Sequence, residues 1–264
     1  MITSRHNPLL QHAHAVSKGL VKESIFVEGL RLCEEAARSR LACREVLHTE
    51  TFAQDERAAR LLAHWRRVGS RLSVVSERLF AMLSDTKTPQ GIVALADRPA
   101  TSRAQFEAAL RQDPLIVILH RINNPANAGA MLRVAEAAGA TSVAATAGST
   151  DLLSPKALRG AMGSSFRLPL WTNVGFPEIL KWCAAHGIRT VSTDLAAPLA
   201  HTDFTWTGAY AVIMGEEAGG LSPADVQAAD ERIRIPMRPP VESLNVAVAL
   251  AVVLYEAARQ RALS

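Results

Sequence analysis

Apolar positions follow two different rhythms along the chain. Before residue 98 they alternate between strand and helix spacing: 24–29 (SIFVEG) and 42–48 (ACREVLH) read as strands, with helical repeats at 30–39 and 54–67. Two more short β-branched runs, 72–76 (LSVVS) and 91–97 (GIVALAD), enclose a helical repeat at 76–83. This predicts an αβ unit over 1–97. Arg98-Pro99 and the small residues after it break the pattern, and one short amphipathic piece (RAQFEAALRQ) precedes Asp113-Pro114, so 98–113 reads as a linker.

Behind the linker the rhythm changes. The runs 115–120 (LIVILH), 142–147 (SVAATA), 188–194 (IRTVSTD) and 209–215 (AYAVIMG) are nearly all apolar, as expected of parallel strands covered on both faces. Helices fall between them: Pro125 suits a first helical position, Gly139 ends that helix, and 176–186 forms another. A last helix is expected at about 242–260, with a Glu in its first turn and Arg259 and Arg261 at its end. Residues 114–264 therefore predict a doubly wound α/β sheet.

Composition narrows the class. The 264 residues carry a formal charge of +4. Residues 1–112 hold 17 Lys and Arg against 12 Asp and Glu, so the excess lies in front, where a polyanion could dock. The three cysteines, Cys33, Cys43 and Cys183, form no CxxC pair, which argues against a disulfide framework and a cysteine zinc site. No metal is expected. The start lacks an apolar signal region, and the longest apolar run, 244–254, contains Asn245 and falls short of the ~20 residues that span a bilayer. The expected compartment is the cytoplasm, with no membrane partner.

Ligands of open α/β sheets bind beyond the carboxyl ends of the strands, so the segments after them are the candidates. After LIVILH comes RINNPANAGAMLRVAEAAGA, where Asn123, Asn124 and Asn127 can cap, Gly129 permits close approach, and Arg133 lies four residues later on the same helix face. The segment can receive an anion or can simply be a capped core helix. Neither GxGxxG nor a phosphate-binding G-x-x-x-x-G-K-[ST] occurs. After AYAVIMG, three glycines surround Glu216 and Glu217, a loop able to wrap a small molecule or merely to turn. Third, Ile235-Pro236-Met237 ends a strand, and Ser243 and Asn245 enter an otherwise apolar helix.

Taken together and in order, Asn127, Gly129 and Arg133, then Gly215, Glu217, Gly220 and Leu221, then Ile235–Met237 with 242–246 (ESLNV), resemble the three motifs of the SpoU, or TrmH, family of RNA ribose methyltransferases. The stretch 156–170 resembles that family's segment between its first two motifs, and ITSRHNPLL and FVEGLRLCEEA resemble the substrate-binding domain many members carry. The resemblance implies a knotted, SPOUT-type parallel-sheet domain preceded by a smaller αβ RNA-binding domain. It also implies a homodimer, S-adenosylmethionine as cofactor, and RNA as methyl acceptor, ribosomal RNA above transfer RNA.

By the same resemblance Met214, Gly215, Ile235, Met237 and Leu244 would line the cofactor pocket. Arg133 would act on the target nucleotide as phosphate anchor and alkoxide stabiliser, or alternatively as base. Asn127 would orient it, Glu217 would order the glycine loop, and Ser243 and Asn245 would fix the site. Arg5, Lys18, Lys22 and Arg31 would contact RNA phosphates, and His6 and Asn7 ribose or base. Arg238-Pro239-Pro240 departs from the family pattern and removes two backbone donors from the cofactor loop. A non-catalytic RNA-binding protein and a nicotinamide-dependent oxidoreductase are the competing classes, and the missing glycine fingerprint counts against the second.

Overall fold

Asn7 begins the first helix, α1 (Pro8–Ser17): its side chain accepts hydrogen bonds from the N–H groups of Leu9 and Leu10, and Pro8 occupies the first turn. The computed structural model describes residues 1–39, 41–84, 86, 88–217 and 219–263, and it divides into two units. Unit 1 comprises residues 1–99 and 153–167, and unit 2 residues 100–152 and 168–264.

Unit 1 is built on β1 (Ser24–Glu28), β2 (Cys43–His48), β3 (Arg71–Val74) and β4 (Ile92–Asp97), in the order β1-β4-β2-β3. β4 pairs antiparallel with β1 and β2, whereas β2 and β3 are parallel. Helices α2 (Leu30–Arg38), α3 (Glu50–Ala53), α4 (Glu56–Arg67) and α5 (Glu77–Leu83) connect them. Leu10, Val16, Phe26, Leu47, Phe80 and Val93 form one core beneath α1 and α5.

Unit 2 begins with α6 (Arg103–Ala108), inside the segment that reads as a linker. Phe106 is fully buried there, edge-on to Trp182 at 5.2 Å, and the Trp182 indole donates to Glu107 at 2.6 Å. Those aromatic partners follow 60 and more residues later, so local composition could not reveal them. The sheet contains β5 (Leu115–Leu119), β6 (Ser142–Thr146), β7 (Leu170–Val174), β8 (Arg189–Thr193), β9 (Leu199–Ala200), β10 (Tyr210–Met214) and β11 (Glu231–Arg234). Their order is β7-β6-β5-β10-β8-β11-β9 with every pairing parallel, as the apolar runs predict.

Between the strands stand α7 (Pro125–Ala137), α10 (Phe176–Ala185) and α11 (Pro223–Gln227), and α12 (Val246–Arg261) follows β11. α8 (Pro155–Ala161) and α9 (Ser164–Arg167) belong to unit 1. The chain walks outward from β5 to β7, then returns to lay β10 beside β5. That reversal sets the carboxyl ends of β5 and β10 next to each other, the usual place for a ligand crevice in such sheets.

α12 starts at Val246, four residues after the expected Glu242, because the Asn245 side chain accepts from the Ala247 N–H and serves as N-cap. Glu242 and Ser243 thus lie in the preceding loop, where Pro239 and Pro240 are joined by a cis peptide bond. At the other end the Arg261 guanidinium donates to the carbonyls of Trp206, Asp113 and Gly208, and Gln260 bridges Phe204 and Trp206.

Residues 153–167, expected within the rear domain, pack with unit 1 instead. Arg159 on α8 donates to the buried Glu28 carboxylate at 3.0 Å, and Ser84 and Thr86 satisfy the other oxygen. Arg159→Ala would leave that carboxylate buried without its cation, a change that costs about 3 kcal/mol. Urea denaturation should register the loss, and an unchanged midpoint would show that the pair holds nothing together.

Candidate active site

Three segments meet at the carboxyl ends of the unit 2 strands, and Glu217 is their junction. Asn124 caps α7 as expected, and Pro125 is its first residue. The Glu217 carboxylate sits on that helix start, accepting from the N–H groups of Asn123 (3.3 Å) and Asn124 (3.1 Å) and from the Asn127 amide (3.2 Å). The Asn245 amide in turn donates to the Asn127 side-chain oxygen at 3.1 Å. One run of hydrogen bonds, Asn245 to Asn127 to Glu217, therefore ties together the starts of α12 and α7 and the glycine loop after β10. Burial works against the Glu217 charge, but its own backbone N–H, the Asn127 amide and the N–H groups of Asn124 and Asn123 outweigh it and hold the carboxyl below the usual range.

Beside this junction lies a cavity of about 390 Å³. Its walls include Met214, Gly215, Ile235, Met237 and Leu244, all named from sequence, together with Glu217 and Ser243. Backbone geometry shapes the loop: Gly220 has φ +65° and its N–H donates to the Glu216 carbonyl at 2.9 Å, closing a tight turn over Gly215. Ala218 lies outside the described residues.

Sequence reasoning missed the wall formed by Thr193, Asp194 and Leu195 at the end of β8, although the rule applied to β5 and β10 would have pointed there. With Asp194, Glu216, Glu217 and Glu242 the cavity carries four carboxylates, and among the described residues no Lys, Arg or His lines it. Such walls suit a cationic guest and repel phosphate. Leu195, Leu221, Val226, Val246 and Ala249 add apolar surface for a flat ring.

Arg133 is not brought to the wall. It lies exposed on α7, six residues or about 9 Å along the helix from Asn127, and among the described residues nothing pairs with it. In unit 1, Arg5, His6, Lys18, Lys22 and Arg31 are exposed. Asn7 is half-buried with its oxygen engaged in capping α1, which leaves only its amide N–H₂ for a ligand. Among the described residues no group of His, Cys, Asp and Glu is placed to hold a metal ion, and no helix is long and apolar enough to cross a membrane.

Comparison with known proteins decides what the junction belongs to. The model of the SpoU rRNA methylase family matches residues 114–255, and that of the RNA 2'-O ribose methyltransferase substrate-binding domain matches 26–102. The chain belongs to the SpoU rRNA methylase family. It is 32% identical over 98% of its length to an uncharacterized tRNA/rRNA methyltransferase of Synechocystis, of which 94% is covered. It is 34% identical over 79% of its length to the Burkholderia 23S rRNA (guanosine-2'-O-)-methyltransferase RlmB, of which 85% is covered. The crystal structure of the SpoU methyltransferase AviRb from Streptomyces viridochromogenes in complex with AdoMet superposes with a TM-score of 0.87 at 28% identity, covering 97% of this chain and 99% of that one.

Proposed function

We propose that this SpoU-family protein methylates a ribose 2'-hydroxyl of RNA, ribosomal RNA above all, from S-adenosylmethionine. The observation that carries the cofactor assignment is the cavity itself: four carboxylates, no cationic side chain and an apolar floor suit a ligand bearing a sulfonium and an ammonium group. Met214, Gly215, Ile235, Met237 and Leu244 would hold its adenosyl part through backbone groups and packing. When bound, S-adenosylmethionine supplies an electrophilic methyl group for in-line attack by the ribose oxygen.

The chain's own contribution is alignment. Asn245, Asn127 and Glu217 lock three loops into one wall, and Ser243 borders the same space. Arg133, exposed on α7 about 9 Å along the helix from Asn127, is where an RNA strand would arrive. Its guanidinium anchors the target phosphate and stabilises charge developing on the 2'-oxygen. A guanidinium with a pKa above ~12 is a poor base, which makes the electrostatic role the better one.

Val248 and Tyr255, seven residues apart on α12, leave apolar side chains exposed on one face of that helix in unit 2. A second copy of the chain would cover it, and we read the protein as a homodimer. Sedimentation would test this, a monomer at micromolar concentration being the adverse result. The knot that the family resemblance implies and a cytoplasmic location, where ribosomal RNA would be met, belong to the same reading.

Incubation with labelled S-adenosylmethionine and total RNA, followed by mapping of 2'-O-methyl sites, tests the activity. Label in ribosomal RNA supports it, label confined to transfer RNA moves the substrate, and RNA binding without label would make the chain a non-catalytic binder. Unit 1 is expected to grip phosphates through Arg5, Lys18, Lys22 and Arg31. Four such contacts would give log affinity a slope of roughly −3 against log salt. A flat salt response would remove these residues from the interface.

A further inference from the structure

His120 lies one residue beyond β5, buried, and has no part in the activity described above. Its backbone N–H donates to the Met214 carbonyl at 2.8 Å, so it sits where the carboxyl ends of β5 and β10 join. The imidazole is held from three further elements. Phe176 of α10 stacks on it at 4.2 Å, Thr146 Oγ1 of β6 lies 3.1 Å from Nδ1, and Asp225 Oδ2 of α11 lies 3.5 Å from Nε2.

The donors and acceptors around the ring fit one tautomer. Asp225 as a carboxylate can only accept, so Nε2 carries the proton, and Nδ1 accepts from the Thr146 hydroxyl. The Thr146 oxygen is then free to accept the Arg121 N–H, which it does at 3.2 Å. Asp225 Oδ2 also accepts from the Ser222 hydroxyl at 2.6 Å. The result is a polar run from Arg121, at the entrance of the first motif, to Ser222, at the exit of the second, in which the 3.5 Å contact between His120 and Asp225 is the longest step. Burial lowers the His120 pKa against the opposing pull of Asp225, Arg121 lowers it further, and Glu216 raises it, so the ring is neutral at neutral pH. The groups facing it from β6 and α10 carry no charge.

We propose that His120 is a positioning residue for the cofactor cavity: its Nε2–H holds Asp225, and Asp225 docks α11 and the turn before it so that Leu221 and Val226 stand as cavity wall. Both of those residues line the cavity, and one belongs to the turn and the other to α11. The inference rests on the cavity being the S-adenosylmethionine site.

Calorimetric titration of the full chain with S-adenosylmethionine separates the two. Failure of the unaltered protein to bind would overturn the cavity assignment. If it binds, His120→Leu should weaken affinity roughly tenfold or more, the scale of losing a hydrogen bond to a charged group. His120→Gln, whose amide can still donate toward Asp225, should recover most of it. Asp225→Ala, which removes the acceptor, should match His120→Leu, and the double variant should be no weaker than either single one. Nitrogen NMR of labelled imidazole should show the neutral ring protonated on Nε2, a measurement that needs no variant to fold. Protonation on Nδ1, or equal affinity in folded His120→Leu, would overturn the proposal.

Discussion

Gly215→Ala should weaken S-adenosylmethionine binding by roughly fivefold to beyond a hundredfold while keeping the fold of unit 2. A Cβ on residue 215 would stand 2.3 Å from the Gly220 carbonyl carbon, 2.5 Å from the Leu221 nitrogen and 2.6 Å from the Gly220 oxygen. All three are backbone atoms, so no side-chain rotation relieves the overlap. The turn would have to open, breaking the Gly220-to-Glu216 hydrogen bond and pulling Leu221 from the cavity. Forced displacement of packed backbone costs about 1–3 kcal/mol or more, roughly fivefold to beyond a hundredfold in affinity. Residue 215 lies past the last residue of β10, so sheet pairing should survive and circular dichroism should be unchanged. Gly175→Ala, away from the cavity, is the control. Its added carbon would meet only Glu178, at 3.7 and 3.8 Å, an ordinary contact, and affinity should stay within a few-fold. Equal behaviour of the two variants would detach the glycine loop from the cofactor.

Arg133→Ala should have the opposite signature. The side chain is exposed, and among the described residues no hydrogen bond or ion pair holds it, so stability and cofactor affinity should barely move. Turnover should fall roughly a hundred- to a thousandfold, the size of effect seen when a donor to a developing oxyanion is removed. Arg133→Lys should restore only part of it, because an ammonium cannot reproduce the two-pronged grip of a guanidinium on phosphate. Single-turnover methylation of the mapped RNA, at saturating cofactor, is the measurement. A fully active alanine variant would strip Arg133 of its assigned role and leave Asn127 and Glu217 to account for the chemistry.

The parts of this molecule visible in its sequence are those whose cause is local. β5, β6 and β10 show as nearly all-apolar runs because both faces are covered, and the start of α7 shows because Asn124 and Pro125 carry their own reason for being there. The start of α12 was masked, since Glu242 and Leu244 fit helical spacing while the deciding event is a side-chain cap one residue later. Distance in sequence hid the rest. Asn127 meets Glu217 across 90 positions and Asn245 across 118, and Arg159 meets Glu28 across 131. The short motifs named most of the residues at the cavity, but no periodicity could say that two asparagines and a glutamate form one clasp. The β8 contribution was missed for a different reason: Asp194 follows a strand after which the sequence carries no motif.

The four acidic walls bear on what happens after each turnover. Donation of the methyl group would convert S-adenosylmethionine from a sulfonium to a neutral thioether, so the spent molecule would have one positive charge fewer with which to hold the carboxylates of Asp194, Glu216, Glu217 and Glu242. Emptying of the cavity would thereby be coupled to completion of the proposed reaction. Competitive inhibitors should follow the same preference, amines in place of the sulfur outperforming uncharged or phosphorylated mimics.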